Sequence, residues 1–210
     1  MHTRLLYVMD PMCSWCWGFA PVLQALAEQA AAVGVPLELV VGGLRQERAA
    51  LDAAGRVRIL GHWQAVNAMT GQLFNFDEGL PEGLVYHTEP ACRALVTARQ
   101  LDPARVWPLL ELIQQAFYCE GRDVTQASVL RELATAAGLP RQAFAEAFDS
   151  AAMQAATQKD FTWVQDLGIA GFPTLLAEHN GQKALLTNGY QPLEPLQPLL
   201  ARWLERATHA

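Results

Sequence analysis

The chain has 210 residues and carries 15 Lys and Arg against 21 Asp and Glu, a formal net charge of −6. That balance argues against nucleic acid as a partner, because phosphate binding draws on an excess of cations. With 51 % apolar and 17 % charged residues the chain has ample material for a core, which excludes disorder and fits one domain with an insertion or two small domains.

The first apolar run, Leu5 to Met9, ends at Asp10-Pro11. It is too short for a signal-peptide core or a membrane span, so the expectation is a soluble, cytoplasmic protein without a membrane partner. Its Leu, Tyr and Val content reads as a buried strand ending at a turn. From Phe19 to Val33 apolar residues recur at three and four positions (Phe19, Val22, Leu23, Leu26, Ala27, Ala30, Val33), predicting a helix stopped by Gly34-Val35-Pro36. Leu37 to Val41 is a second strand, ended by Gly42-Gly43. Strand, helix and strand with so short a return imply a right-handed parallel crossover.

Between about Arg56 and Gly168 the pattern is helical and shows no convincing strand. Val106, Leu109, Leu110, Ile113 and Phe117 form one stripe, and Val129, Leu130, Leu133 and Ala137 another. Asp102 before Pro103 fits a helix N-cap, Thr125 is a second cap candidate, and Gly138-Leu139-Pro140 is a stop. Strand signal returns in Thr174 to Glu178 and Lys183 to Thr187, a hairpin with Asn180-Gly181 near its turn. A last helix carries Leu193, Leu196, Leu200, Trp203 and Leu204 on one side. The expected order is βαβ, a helical block, then ββα, with 1–55 and 160–210 forming one α/β unit and 56–159 a helical insertion after the second strand.

Four cysteines are too few for a disulfide-dense secreted scaffold. Cys13 and Cys16 form a Cys-x-x-Cys pair at a strand-to-helix junction. There the first sulfur meets unpaired backbone N–H groups and the positive end of the helix dipole, both of which favour thiolate and lower such pKa values to about 3.5–7.5. Cys13 is the natural nucleophile, and Cys16, one turn on, the thiol placed to resolve a mixed disulfide. Half a zinc site and two buried cysteines are the alternatives. Zinc needs two more ligands, and His2, His62, His87, His179 and His209 show no ligand spacing, so no metal is expected.

Gly171-Phe172-Pro173-Thr174 precedes the returning strand, where proline cannot supply a ladder hydrogen bond. A cis Phe172–Pro173 bond there would present the Phe172 backbone to an incoming peptide; a trans proline that merely starts the strand is the alternative. Met12, Trp15 and Trp17 flank the sulfurs and could form an apolar landing surface, although Trp17 could equally pack the helix onto the insertion. Asp10 reads either as a proton acceptor beneath Cys16 or as a turn residue. Cys92 and Cys119 sit in helical apolar patterns and are expected to be buried, with a disulfide between them left open. Arg93, Arg99 and Arg122 could contact a glutathione carboxylate, or form surface ion pairs.

Cys13-Ser14-Trp15-Cys16 after the first strand, Pro21 inside the first helix and Gly171-Phe172-Pro173-Thr174 before the third core strand together resemble the thioredoxin superfamily. The helical insertion is similar to its DsbA-like branch, and Asp10 to Phe19 resembles the signature of the cytoplasmic predicted protein-disulfide isomerase group. The resemblance runs on through Glu89 to Ala94 and Phe117 to Thr125. It implies that Cys13 attacks disulfides, that Cys16 resolves them, and that Pro173 is a cis-proline facing the sulfurs, with Phe172 lending its backbone to substrate. It implies a thiol–disulfide oxidoreductase or isomerase working on cysteine-containing proteins or peptides, with glutathione a further candidate partner and no cofactor. The dipeptide Ser14-Trp15 lacks the histidine of the periplasmic members, which points away from strong oxidation. Two other functions fit the chain: a glutathione-dependent transferase or isomerase of the related helical-insertion group, and a peptide-binding module using Trp15 and the Pro173 loop. Exposed apolar surface could also serve a homodimer.

Overall fold

A computed structural model describes residues 3–209. The apolar run near the N-terminus forms strand β1 (Thr3–Met9), buried from Leu5 onward, and helix α1 (Ser14–Ala31) follows after a four-residue turn. Strand β2 (Leu37–Val41) returns parallel to β1, with Leu5 opposite Leu37 and Met9 opposite Val41. The chain then leaves the sheet and comes back only at β5 (Thr174–His179), antiparallel to β1, and β6 (Gln182–Asn188), antiparallel to β5. The sheet order is β2-β1-β5-β6. Asn180 and Gly181 turn the β5–β6 hairpin with φ of 50° and 84°, the two positive values that a tight hairpin of matching twist requires. Helix α8 (Leu193–His209) buries Leu196, Leu200 and Leu204 and packs on α1. The expected βαβ and ββα halves are therefore present.

The intervening segment holds β3 (Gln46–Ala50), α2 (Ala53–Thr70), β4 (Val85–His87), α3 (Glu89–Leu101), α4 (Val106–Tyr118), α5 (Ala127–Ala136), α6 (Arg141–Phe148) and α7 (Ala151–Asp166). Its helical character is as expected, but the stretch from Arg56 to Gly168, where no strand was expected, contains β4, and β3 lies just before that stretch. β3 and β4 pair antiparallel as a separate two-stranded sheet. Neither could show in the pattern, since all five residues of β3 are exposed and β4 has only three residues. The core of the segment is aromatic: Trp63 lies edge-on to Phe117 and Tyr118 at ring separations of 5.6 and 5.2 Å, a geometry aromatic quadrupoles favour.

Of three smaller expectations, those for Thr125 and Val33 need correction. Thr125 does not cap α5; both its N–H and its hydroxyl donate to Asp123 Oδ1, and Gln126 holds the cap position. Asp102 does cap, accepting from Ala104 N–H, but over a short 3₁₀ turn at Pro103–Arg105 that leads into α4. Val33 lies past the end of α1 and is half exposed, so it is not part of the buried stripe. Among the described residues no helix is long and apolar enough to cross a membrane.

Candidate active site

The turn from β1 into α1 is built by Asp10. Its carboxylate Oδ1 accepts the Met12 N–H at 2.9 Å, and its carbonyl accepts the Cys13 N–H at 3.0 Å, the local closure that Asp favours before a helix. The other oxygen, Oδ2, accepts from Leu44 N–H (2.7 Å), the Thr88 hydroxyl (2.6 Å) and the Cys92 thiol (3.4 Å). Asp10 is fully buried. Burial pushes its pKa up, and the four donors pull it part of the way back, leaving it raised. Asp10 is thus the turn residue that one sequence reading expected, and its buried carboxyl lies close enough for its charge to act on Cys16.

Cys13 takes the N-cap position of α1 with extended backbone (φ −87°, ψ 114°), and no side chain caps the helix. Its carbonyl accepts the N–H groups of Cys16 and Trp17 at 3.0 and 3.2 Å. Its Sγ lies 3.6 Å from the carbonyl oxygen of Phe172, 159 positions away in the chain. The Phe172–Pro173 bond is cis. Both cysteines are buried, Cys16 at 1 % exposed and Cys13 at 6 %, so Cys13 is the slightly more open of the two. Both are free thiols. Burial raises the Cys16 pKa well above its ordinary value, and hydrogen bonding with Cys13 and the charges of Cys13 and Asp10 raise it further against the pull of the Asp10 backbone N–H.

Trp15 is partly exposed and tilts against Tyr190 at 5.8 Å, while Trp17 turns toward the helical segment, stacking on Tyr118 and donating its indole N–H to Leu73 O at 2.9 Å. Met12 does not join a landing surface. It is completely buried, with its N–H held by Asp10 and its carbonyl accepting the Tyr86 hydroxyl. Cys92 is buried as expected, but Cys119 is only partly so, its thiol donating to Leu73 O at 3.5 Å, and both are free. Arg93, Arg99 and Arg122 form ion pairs with Glu89, Asp160 and Glu132. Among the described residues no group of His, Cys, Asp and Glu could hold a metal ion.

Sequence reading missed three contributors. Tyr7 lies under the sulfurs, its phenol pushed well up by burial and then by the charges of Cys16 and Cys13. Thr88 completes the Asp10 network at the start of α3. Gly42 leaves room for the Phe172 ring: a Cβ there would stand 2.0 Å from Phe172 Cζ. A Gly-Gly pair ending a strand signals a close approach as readily as a stop, and the partner ring was 130 residues distant in sequence.

A βαβ…ββα sheet whose first helix opens on a Cys-x-x-Cys pair, facing the loop before the third core strand, is the thioredoxin fold of a thiol–disulfide oxidoreductase. The chain belongs to the family of DSBA-like thioredoxin domains, whose family model matches residues 4–201. It is similar to a candidate protein disulfide isomerase from Nitrosomonas europaea, with 40 % identity and a TM-score of 0.91 over 98 % of this chain and 99 % of that one. It is also similar to the cytosolic disulfide reductase DsbM from Pseudomonas aeruginosa, with 30 % identity and a TM-score of 0.80 over 97 % and 100 % of the two chains. A structure of that reductase with GSH aligns at 29 % identity and a TM-score of 0.77, covering 96 % and 99 %. No curated protein matches the chain.

Proposed function

We propose that Cys13 and Cys16 catalyse thiol–disulfide exchange on cysteine-containing proteins or peptides, as a reductase or isomerase in a glutathione-buffered cytosol. The observation that carries this reading is the placement of Cys13 at the N-cap of α1, its Sγ 3.6 Å from the Phe172 carbonyl oxygen, with the more deeply buried Cys16 one turn on. Cys13 thiolate attacks a substrate disulfide: one S–S bond forms to Cys13, one breaks, and a substrate thiolate leaves. Cys16 then loses its proton and attacks Cys13 Sγ, releasing the second substrate thiol and closing a Cys13–Cys16 disulfide. Two electrons and two protons pass from the dithiol to the substrate. The raised proton affinity of Cys16 holds it as a thiol until the mixed disulfide forms, so it does not compete as a nucleophile.

In this reading Phe172 and Pro173 offer backbone to the bound peptide and Trp15 offers an apolar face. Residues 1–55 and 160–210 act as the catalytic unit and 56–159 as the insertion that braces it. The similarity to a cytosolic reductase supports the compartment and the direction, and the GSH-bound relative supports glutathione as the reducing partner.

Equilibration in graded glutathione buffers, followed by Trp fluorescence and mass spectrometry, tests the mechanism. A reversible two-electron transition with a Cys13–Cys16 disulfide is expected, and Cys16→Ala should accumulate a glutathione adduct on Cys13. If no such disulfide forms at any ratio, the exchange mechanism is wrong.

A further inference from the structure

Cavities of ligand size flank β2 and α1. One, of about 780 Å³, flanks β2 and is lined by Arg4, Arg99 and Asp160. These charges are already matched, Arg4 by Glu38 and Glu178 and Arg99 by Asp160, and the exposed Lys159 that also lines it does not by itself make a site. The other, of about 730 Å³, runs between α1 and α4 behind the sulfurs. Its volume falls within the ~300–1,000 Å³ of small-molecule sites.

This second cavity is built for a particular chemistry. Trp17, Trp107 and Tyr7 supply aromatic wall, and Cys16 is also part of the lining. Gln114 of α4 also lines it, and Gln114 is 3 % exposed with an Nε2 that has no hydrogen-bond partner among the described residues. A buried amide donor without an acceptor is a standing penalty that a ligand oxygen removes. Glu111 is in the wall and the chain is net −6, which disfavours anions. We propose that this cavity is a binding site for a neutral, flat aromatic compound whose carbonyl oxygen accepts from Gln114 Nε2 and whose ring lies against Trp17 and Trp107. The site involves no thiol chemistry and stands or falls separately from the exchange reaction.

The neutral naphthyl ketone Prodan (6-propionyl-2-dimethylaminonaphthalene) is a suitable probe, because its emission shifts to the blue in apolar surroundings and responds to hydrogen bonding at its carbonyl. Titrated with the full-length protein, it should bind saturably at one site with a dissociation constant on the order of 10–100 µM, as its size allows. Ala27→Phe, which places a ring in the cavity from α1, should weaken binding at least about tenfold while far-ultraviolet circular dichroism stays unchanged. Gln114→Leu should weaken it about five- to tenfold, the worth of one hydrogen bond, and should melt no lower than the parent, since it removes an unpaired buried group. Absence of saturable binding, or equal binding in parent and Ala27→Phe, overturns the site. Equal affinity in Gln114→Leu overturns the assignment of the carbonyl to Gln114.

Discussion

At the scale of single residues the site depends on two that never touch substrate sulfur. Gly42 has no unusual φ, so its role is steric: the Phe172 ring occupies the space a Cβ would take, 2.0 Å from the nearest ring carbon. Gly42→Ala should push Phe172, and with it the carbonyl beside Cys13 Sγ, by an ångström or more. Misplacement of that order costs roughly 10- to 100-fold in kcat/KM, to be measured as insulin reduction, with little change in the Cys13–Cys16 potential.

Asp10 poses a different problem, since it collects four donors while fully buried. Asp10→Asn keeps the shape but turns an NH2 toward donors, which should cost about 1–3 kcal/mol in urea denaturation. The pH dependence has a definite sign. The folded-state pKa of Asp10 is raised above its unfolded value, so the folded protein holds the proton more tightly, and this contribution to stability is full below the unfolded value and is lost as pH rises through the folded one. The stability gap between parent and Asp10→Asn should therefore narrow as pH rises from about 4; a gap that widens over that range would contradict the raised pKa.

Among the elements, α1 carries both the sulfurs and the contacts that orient them. Gly18 looks wasteful inside it, since within a helix Gly costs up to about 1 kcal/mol relative to Ala. A Cβ at Gly18, however, would stand 2.7 Å from Val66 Cγ1 and 3.0 Å from Thr70 Cγ2 on α2. Gly18→Ala should therefore destabilise the protein by about 1–3 kcal/mol despite the better helix propensity, measured by thermal melting. A higher melting temperature would show that α2 gives way.

What could be read from sequence follows the same division. β1, β2, α1, the Asn180-Gly181 hairpin and α8 were legible because each carries a local apolar period or a turn signal. The β3–β4 sheet was not, because an exposed Gln46-Glu47-Arg48 strand has no alternation to show. The two motifs that meet at Cys13 Sγ and Phe172 O could be seen separately, but Tyr7, Thr88 and Gly42 owe their place at the site to tertiary approach, which leaves no local pattern. Met12 was misjudged for a related reason: its apolar side chain suggested a surface, while its backbone groups are tied inward by Asp10 and Tyr86.

Over the whole molecule, the catalytic helix is tied to the helical segment by more than packing. Gln72 Nε2 donates to Trp17 O at 3.0 Å, and Trp17 Nε1 donates to Leu73 O at 2.9 Å, a reciprocal pair linking α1 to the loop after α2. On the other side Arg99 of α3 donates to Leu39 O of β2 and pairs with Asp160 of α7, which in turn accepts the Val41 N–H. Sheet and insertion should therefore unfold together. Far-ultraviolet circular dichroism and Trp fluorescence are expected to give coincident urea transitions, and separated midpoints would mean that the helical segment is an independent unit.

The β1–β5 pairing, from Thr3 opposite His179 to Val8 opposite Thr174, also sets a timetable for the protein's birth. β1 is made early, yet its neighbour on one side emerges some 170 residues later, a wait of roughly 10–30 seconds at ribosomal speed. Through that interval only β2 can pair with the Leu5–Met9 backbone, so the nascent chain carries an apolar strand with one open edge until translation is nearly complete. The demand this sheet order makes on the cell is thus concentrated at synthesis, in the period when holding chaperones act.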